Sequence, residues 1–571
     1  MAPSSIDVSI PFVTNSGWAT TALLLPLFLA PPPLCHAQPA PPPILFEDVA
    51  SEAGVEFVLQ DGSGSAKYQI ETMVGGVAVF DFNRDGLPDI YFANGAEPLT
   101  LEKTHPRFYN RLFRNDGEGK FTDVTEQAHV RGAGHSIGVA TGDYDNDGYT
   151  DIFVAGVNRN ALYRNRGDGT FEDVTGAARL DWEGPGPKPW SVAGGWFDFD
   201  NDGLLDLFVV NYVSWSAESD PPCTTGGART YCHPKHYKGL PNQLFRNNGD
   251  GTFSDVSAPT GIAASVGKGM SVSFLDANSD GVLDVFVTND TVPNALFFSD
   301  RKGGFREDGL VAGIAFNDDG QALSSMGTDA ADFDNDGRED IFVVAIANQS
   351  FPLFRNSGHG LFEDVTYTHG IGPATIQDTG WGAGIRDLNN DGYRDLFVAA
   401  GAIDDNVEAY SSRASRLRNR VLAGSKGGRF TDLSDKAGPD FQQLGRHRGA
   451  AFGDFNQDGL LDVVVTRIGE KAELFLNRSR PTGNWVELAL EGAKSNRSAI
   501  GALARVRTAS GRVLWGRVSS AGGYASANDL TLHFGLGEDA IASEIEITWP
   551  RGTVQRLEQV RCGQRVQVRE P

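Results

Sequence analysis

The sequence predicts an all-β fold, a seven-bladed β-propeller followed by a small C-terminal β-sandwich domain. A nine-residue pattern, D-x-[DN]-x-D-G-x-x-D, recurs seven times, each time ahead of an apolar segment. A second pattern, Leu-aromatic-Arg-Asn with a glycine turn and then Phe-x-Asp-Val, recurs between these copies. The chain also has 69 glycines in 571 residues, many of them in Asn-Gly and Asp-Gly pairs. Such pairs are typical of tight turns between short strands.

Each repeat is predicted to contain four strands. The aspartate pattern lies between two apolar segments, as at 76–78 and 90–92, and the second pattern indicates a glycine hairpin, as at 112–124. Four-stranded units at intervals of about 55 to 78 residues are typical of a propeller, whose radial closure protects the sheet edges. The two series are offset, because Phe46 starts a Phe-x-Asp strand before the first repeat and Leu474 starts a Leu strand after the last. We therefore expect the first strand to complete the last blade.

The aspartate loops are predicted to bind calcium. Alternate side chains at positions 1, 3 and 5 converge, the glycine at position 6 permits a sharp turn, a carbonyl at position 7 adds an oxygen, and the aspartate at position 9 closes the shell. Several hard oxygen ligands suit Ca²⁺ better than Mg²⁺ or zinc. The sequence thus predicts up to seven calcium ions. Their ligands would be Asp81, Asn83, Asp85 and Asp89 (loop 1); Asp143, Asp145, Asp147 and Asp151 (loop 2); Asp198, Asp200, Asp202 and Asp206 (loop 3); Asp276, Asn278, Asp280 and Asp284 (loop 4); Asp332, Asp334, Asp336 and Asp340 (loop 5); Asp387, Asn389, Asp391 and Asp395 (loop 6); and Asp454, Asn456, Asp458 and Asp462 (loop 7).

The loops differ in charge at position 3. Loops 2, 3 and 5 have four aspartates, whereas loops 1, 4, 6 and 7 have an asparagine at that position. Because affinity rises with ligand charge, we expect the four-aspartate loops to bind calcium more tightly.

Export is predicted from the first residues of the chain. The apolar run 18–30, followed by Cys35-His36-Ala37, is typical of a signal peptide and too short for a membrane span. A lipid anchor on Cys35 is an alternative. We expect residues 1–37 to be a signal peptide and the protein to be secreted, extracellular or periplasmic.

Two of the cysteines are predicted to pair in that oxidising compartment. Cys223 and Cys232 bracket a short loop and favour a local disulfide. A metal site with His233 and His236 is the alternative, although the spacing matches no standard zinc pattern. Cys562 is left without a partner.

The domain boundaries follow from these patterns. A proline-rich linker is expected at 38–45 and the propeller at 46–480. A β domain with its own hydrophobic core is expected at 481–571. The formal net charge is −25, from 74 acidic and 49 basic residues, which argues against nucleic acid or an anionic membrane as a partner. No membrane span is expected, and the protein is expected to be monomeric.

The repeats resemble FG-GAP/VCBS repeats of the integrin α-subunit propeller type. The tail, with Gly522-Gly523-Tyr524-Ala525-Ser526 and Trp549-Pro550-Arg551-Gly552, resembles an ASPIC/UnbV domain. This combination is similar to the cartilage acidic protein family and its bacterial relatives. The resemblance implies a secreted calcium-binding protein, associated in animals with extracellular matrix, and supplies no established reaction.

Three functions are therefore compared. The leading hypothesis is an adhesion, scaffold or ligand-binding protein that contacts an extracellular or envelope protein or a polysaccharide, with structural calcium and no catalytic residues. A carbohydrate-active enzyme on a calcium propeller is the second. Convergence of Lys, Arg, Tyr or His in the central channel or on the insertion 211–240 would favour it. An export or assembly factor is the third.

Overall fold

Seven four-stranded antiparallel sheets, which we call blades 1 to 7, make up most of the structure. It is a computed structural model that describes residues 43–182, 184, 188–480 and 482–571. From the innermost strand outwards, the blades are Val77–Phe80, Asp89–Phe92, Arg111–Gly117, Lys120–Asp123 (blade 1); His135–Gly142, Asp151–Val157, Ala161–Asn165, Phe171–Asp173 (blade 2); Ser191–Phe197, Asp206–Asn211, Gln243–Asn247, Phe253–Asp255 (blade 3); Gly269–Leu275, Asp284–Asn289, Ala295–Ser299, Phe305–Glu307 (blade 4); Thr328–Ala331, Asp340–Val343, Leu353–Gly358, Leu361–Asp364 (blade 5); Gly380–Arg386, Asp395–Ala400, Arg420–Ala423, Thr431–Asp432 (blade 6); and His447–Gly453, Asp462–Arg467, Glu473–Asn477, Phe46–Asp48 (blade 7).

Blade 7 is assembled from both ends of the repeat region. Phe46 pairs with Asn477 and Asp48 with Phe475, as the offset of the two strand series predicts. Ile44 is buried in the same apolar cluster as Phe46, so the last residues of the predicted linker belong to the folded body. The predicted signal peptide 1–37 and the start of the linker lie outside the described residues.

The innermost strands approach one another closely. Each contacts the innermost strand of the next blade, and that of blade 7 contacts that of blade 1. A Cβ on Gly138 would lie 2.1 Å from the carbonyl oxygen of Val192, and one on Gly449 would lie 2.2 Å from that of Gly75. Glycine is required at these two positions because any side chain would push neighbouring blades apart.

The C-terminal region forms two further sheets. A three-stranded sheet places Asn484–Glu491 between Leu532–Gly537 and the parallel strand Gln564–Arg569, and a four-stranded sheet has the order Val513–Arg517, Leu503–Thr508, Ile541–Thr548 and Val554–Arg561. One buried cluster joins Val486 and Ile547 of this region to Trp196 and Leu205 of blade 3. The expected separate core is therefore continuous with the propeller.

A segment of the C-terminal domain, residues 519–529, enters the centre of the ring of innermost strands. We call it the plug. It contacts the innermost strand of every blade. The contacts are Ala527 N–H to Val77 O at 3.0 Å (blade 1), Val139 N–H to Ala525 O at 3.0 Å (blade 2), Trp196 N–H to Ser520 Oγ at 2.8 Å (blade 3), Ser271 Oγ to Gly523 O (blade 4), Gly523 N–H to Thr328 O at 2.7 Å (blade 5), the Tyr524 ring against Trp381 at 4.9 Å (blade 6) and Phe452 N–H to Asn528 Oδ1 at 3.1 Å (blade 7).

The remaining elements are short. Two small two-stranded sheets pair Thr224–Thr225 with Ala228–Arg229 and Leu240–Pro241 with Val266–Gly267. The α-helices are Ala50–Ala53, Thr125–Ala128, Gly309–Ala312 and Ile371–Thr375, and the 3-10 helices are Gln69–Thr72, Pro106–Phe108, Pro234–His236, Ile262–Ala264, Val407–Ala409, Ser434–Lys436 and Asp440–Gln442. Within the described ranges, no helix has the length and apolar character needed to cross a bilayer.

Candidate metal centres

Each aspartate loop is held by hydrogen bonds to its own carboxylates. In loop 2, Asp143 accepts the N–H of Asp147 at 3.0 Å on one oxygen and the N–H of Gly148 at 2.7 Å on the other. Gly148 has φ of 98° and Asn146 has φ of 56°, so the turn needs two left-handed residues. Sequence reasoning identified the glycine at position 6 but missed the left-handed residue at position 4, which recurs in every loop.

The aspartate at position 9 ties the loop to its blade. In loop 2, Asp151 accepts the N–H of Tyr144 at 3.1 Å and the N–H of Asn165, on the third strand, at 2.7 Å. All seven loops repeat this pair of contacts. Because each carboxylate oxygen has two lone pairs, both oxygens keep capacity to bind a metal ion.

Three loops bring three carboxylates together. Oxygens of Asp143, Asp145 and Asp151, of Asp198, Asp200 and Asp206, and of Asp332, Asp334 and Asp336 lie within 4.8 Å of one another in each set. These are the loops with aspartate at position 3. Among the described residues, the loops with asparagine at that position form no group of this kind.

The loops also contain buried oxygens that lack a hydrogen-bond donor. They are Asp200 Oδ1, Asp334 Oδ1, Asn278 Oδ1 and Asp387 Oδ1, all at position 1 or 3. A buried acceptor without a partner costs about 1 to 3 kcal/mol. A cation would satisfy these atoms, so the residues present fit an oxygen-coordinated ion such as Ca²⁺.

The electrostatics of the loops agree with that fit. Burial, reinforced by neighbouring carboxylates, raises the pKa of Asp143, Asp198 and Asp332 to about 7. Burial also raises the pKa of Asp89, at position 9 of loop 1, to about 8. Without a cation, these groups therefore bind a proton more readily near neutral pH than an ordinary aspartate does.

An arginine accompanies each aspartate at position 3. Arg164 lies 2.7 Å from Asp145, Arg246 lies 2.7 Å from Asp200, and Arg355 lies 2.6 Å from Asp334. Each belongs to the Leu-aromatic-Arg-Asn strand of the same blade. Each guanidinium places one positive charge beside the aspartate at position 3, which is the additional carboxylate of these loops. We expected these loops to bind calcium more tightly because they have more aspartates. That argument did not include the compensating charge of the arginine.

The four loops with asparagine at position 3 lack this arrangement. The corresponding third-strand residues are Arg114, Phe298, Ala423 and Leu476, and Arg114 pairs with Asp116 at 2.7 Å rather than with its loop. Arg301 of the next turn contacts Asp280 in loop 4.

The asparagine of the second pattern connects neighbouring blades, a role that the sequence analysis missed. The Asn165 side-chain N–H₂ donates to Thr150 O in its own blade and, at 2.8 Å, to Phe82 O in loop 1. Asn115, Asn247, Asn356 and Asn477 make the equivalent contact with the preceding loop. The recurrence of this asparagine in phase with the aspartate loops is the signal that could have revealed it.

The insertion between the second and third strands of blade 3 carries the predicted disulfide. Cys223 and Cys232 are bonded, with their Cα atoms 5.3 Å apart, and Cys562 is free. The Tyr231 hydroxyl donates to Glu71 at 3.0 Å, and Lys67 pairs with Asp405 at 2.6 Å. The Tyr231 hydroxyl and the Lys67 ammonium are thus each bonded to a carboxylate of the protein itself.

Comparison with known families agrees with the repeat and the tail. An FG-GAP-like repeat model matches residues 81–154, 143–209, 235–287, 276–343, 332–398 and 387–465, which together span more than half of the chain. An ASPIC and UnbV model matches residues 492–571. The chain therefore belongs to the FG-GAP-like repeat family and has an ASPIC/UnbV domain at its C-terminal end, as the sequence resemblance predicts.

Two individual relatives match most of the chain. Cartilage acidic protein 1 of Mus musculus is 26% identical over 506 residues, covering 84% of this chain and 70% of the relative. The Homo sapiens protein of the same name is 26% identical over 505 residues, covering 84% and 69%.

Solved structures align with this chain at lower identity. One is an Agrocybe aegerita lectin that specifically recognises non-reducing terminal N-acetylglucosamine. It aligns with a TM-score of 0.41 at 15% identity, covering 70% of this chain and 87% of that chain. AofleA from Arthrobotrys oligospora aligns with a TM-score of 0.31 at 10% identity, covering 66% and 92%.

Proposed function

We propose that this protein is an exported, calcium-stabilised propeller that acts as an extracellular scaffold or ligand-binding protein. The observation that carries the proposal is the set of aspartate loops with buried oxygens that lack donors. Calcium would be held by the side chains at positions 1, 3, 5 and 9 of each loop and by the carbonyl at position 7. Its role is structural, because the loops connect strands within blades and, through the asparagines, adjacent blades.

Export is proposed on three grounds. The apolar run 18–30 is typical of a signal peptide, the Cys223–Cys232 disulfide suits an oxidising compartment, and the curated relatives are named for cartilage. In a compartment with millimolar calcium, a site of about 0.1 mM affinity would add about 1.4 kcal/mol to the stability of the fold.

The proposed face for partners is opposite the aspartate loops. The second strand of each blade runs away from its loop, so the connections between second and third strands emerge on the other face. They include the disulfide insertion, with exposed His233, Lys235 and His236. The loop face is contacted by the C-terminal domain. Surface loops on a rigid scaffold are common binding sites.

The calcium part of the proposal is tested on the full chain. Flow dialysis should show several bound Ca²⁺ ions per chain, and calorimetry should show a higher Tm in 1 mM Ca²⁺ than in EGTA. The Asp198→Asn variant should bind fewer ions, while Asp168→Asn, in an exposed hairpin turn of blade 2, should match the wild type. A melt that is unchanged by EGTA would contradict the structural role.

The scaffold part requires a ligand search with a defined probe set. The immobilised full chain is exposed to a glycan array and to native secreted proteins, with and without Ca²⁺. Binding without turnover supports a scaffold. Depolymerisation of any glycan on the array would favour the enzyme alternative instead.

A further inference from the structure

Loop 6 is the aspartate loop in which no residue is exposed to solvent, and the C-terminal domain lies directly on it. Asp387 is 2% exposed, and Asn389, Asn390 and Asp395 are fully buried. In loop 3, by contrast, Asn201 and Asp202 are exposed to solvent. The same nine-residue pattern therefore occupies two environments.

Specific contacts hold the cover in place. The Gly537 N–H donates to Asn390 O at 2.9 Å, and Arg512 donates to Asp391 O at 2.6 Å and to Leu536 O at 2.8 Å. The Nε2 atom of His533 lies 2.7 Å from Asn390 Oδ1. A Cβ on Gly535 would lie 2.0 Å from Asp387 Oδ2, so the strand Leu532–Gly537 lies directly on the loop.

One buried oxygen in loop 6 points to a ligand. In the six other loops, the Oδ1 atom at position 1 accepts the N–H of position 5. Asp387 Oδ1 is buried and has no partner. In the part of the chain described, none of the three aspartates Asp387, Asp391 and Asp395 forms an ion pair.

The nearby cations are directed elsewhere. Arg512 is bound to carbonyl oxygens, as described above, and Arg394 donates to Trp515 O at 3.0 Å. Two buried carboxylates and the half-buried Asp391, none with a bonded counterion, are costly, and a divalent cation would compensate them.

We propose that loop 6 is an interdomain calcium site sealed by the C-terminal domain, so that its ion exchanges with solvent only when the strand Leu532–Gly537 lifts off the loop. This inference rests on the proposed function. The plug makes such lifting slow, because it anchors the same domain to the innermost strands of all seven blades. Loop 3 is open to solvent at Asn201 and Asp202, so an ion there can exchange without any movement of the strand Leu532–Gly537.

The test measures ion exchange on the full chain. The protein is loaded with ⁴⁵Ca²⁺, chased with excess unlabelled Ca²⁺ and sampled by rapid filtration. We expect about one ion per chain to exchange at least tenfold more slowly than the others. Asp387→Asn should remove this slow ion, whereas Asp198→Asn should remove a fast one.

A second pair of variants tests the cover without altering a ligand. Arg512→Ala should shorten the lifetime of the slow ion, while Arg556→Ala, in an exposed strand of the same domain, should leave it unchanged. This pair also decides the question if Asp387→Asn does not fold.

The outcomes separate the two proposals. Absence of bound ⁴⁵Ca²⁺ would refute the calcium function itself. Bound calcium that exchanges in a single fast phase, or a slow ion that persists in Asp387→Asn, would overturn only the sealed site.

Discussion

Loops 3 and 6 share one sequence pattern but stabilise their aspartates by different means. Loop 3 has four aspartates and lies near solvent, where Arg246 contacts Asp200 at 2.7 Å and Asp202 at 3.4 Å. Loop 6 has three aspartates, no such arginine, and a second domain above it. Solvent and a guanidinium bonded to a carboxylate limit the repulsion in loop 3, whereas in loop 6 solvent is excluded and the guanidinium groups of Arg394 and Arg512 bond to carbonyl oxygens.

The difference shows that the number of aspartates alone does not rank the sites. Counting Arg246 against the four aspartates leaves loop 3 with a formal charge of −3, and counting Arg394 against the three aspartates leaves loop 6 with −2, so the two loops differ little in charge. What then distinguishes the two is access to water. Charge should govern affinity in open loops, and burial should govern exchange in the covered loop.

The largest expected effect concerns pH in the absence of calcium. Burial raises the pKa of Asp198 to about 7, and burial also raises that of Asp387, each from 3.8. The folded state then binds more protons than the unfolded state, so stability should fall as pH rises from about 4 to about 7. All seven loops contribute, and calcium should reverse the trend by favouring the ionised form.

Calorimetry in metal-free buffer across this pH range checks the comparison. The Asp387→Asn variant should flatten the curve more than Asp198→Asn, because Asp387 is the more deeply buried group. A Tm that is constant or rising between pH 4 and 7 in metal-free wild type would refute the electrostatic argument.

A smaller effect is expected at position 4 of the two loops. Asn390 donates to Gly459 O at 2.8 Å and contacts His533, whereas Asn201 is exposed. Asn390→Ala leaves two buried polar groups without partners and should cost about 2 to 4 kcal/mol. Asn201→Ala is a matched control, because both residues have φ near 60° and share the cost of a left-handed alanine, roughly 1 to 2 kcal/mol.

Denaturant titration of both variants in saturating Ca²⁺ measures the difference. Equal losses of stability would show that the contacts of Asn390 with Gly459 and His533 contribute nothing beyond the cost of the left-handed backbone.

The repeat made most of the fold predictable from sequence. The strand count per blade, the glycine turns and the pairing of Phe46–Asp48 with the last repeat all follow from periodicity and phase. The docking of the C-terminal domain could not be predicted in this way, because the sequence of the plug residues 519–529 looks like an ordinary loop of small residues. Their partners are carbonyls and N–H groups of seven distant strands, which no local pattern identifies.

The candidate sites were predictable in composition but not in environment. Positions 1, 5, 6 and 9 are explicit in the sequence, and the disulfide partners are only nine residues apart. The burial of Asp387 depends on Gly535, which is remote in the chain. The pairing of Arg246 with Asp200 joins the Leu-aromatic-Arg-Asn pattern to the aspartate loop pattern, and neither pattern alone indicates that contact.

The smallest expected effect concerns that arginine. Arg246 is 46% exposed, and pairs of this kind contribute about 0.2 to 1 kcal/mol. If the guanidinium offsets a carboxylate that would otherwise attract the ion, Arg246→Leu should raise calcium affinity at loop 3 by about two- to fivefold. Arg114→Leu is the matched control, since Arg114 occupies the same strand position in blade 1 but pairs with Asp116. Calcium titrations of the two variants compare them directly. A weaker loop 3 in Arg246→Leu would mean that the guanidinium acts by orienting Asp200 rather than by offsetting its charge.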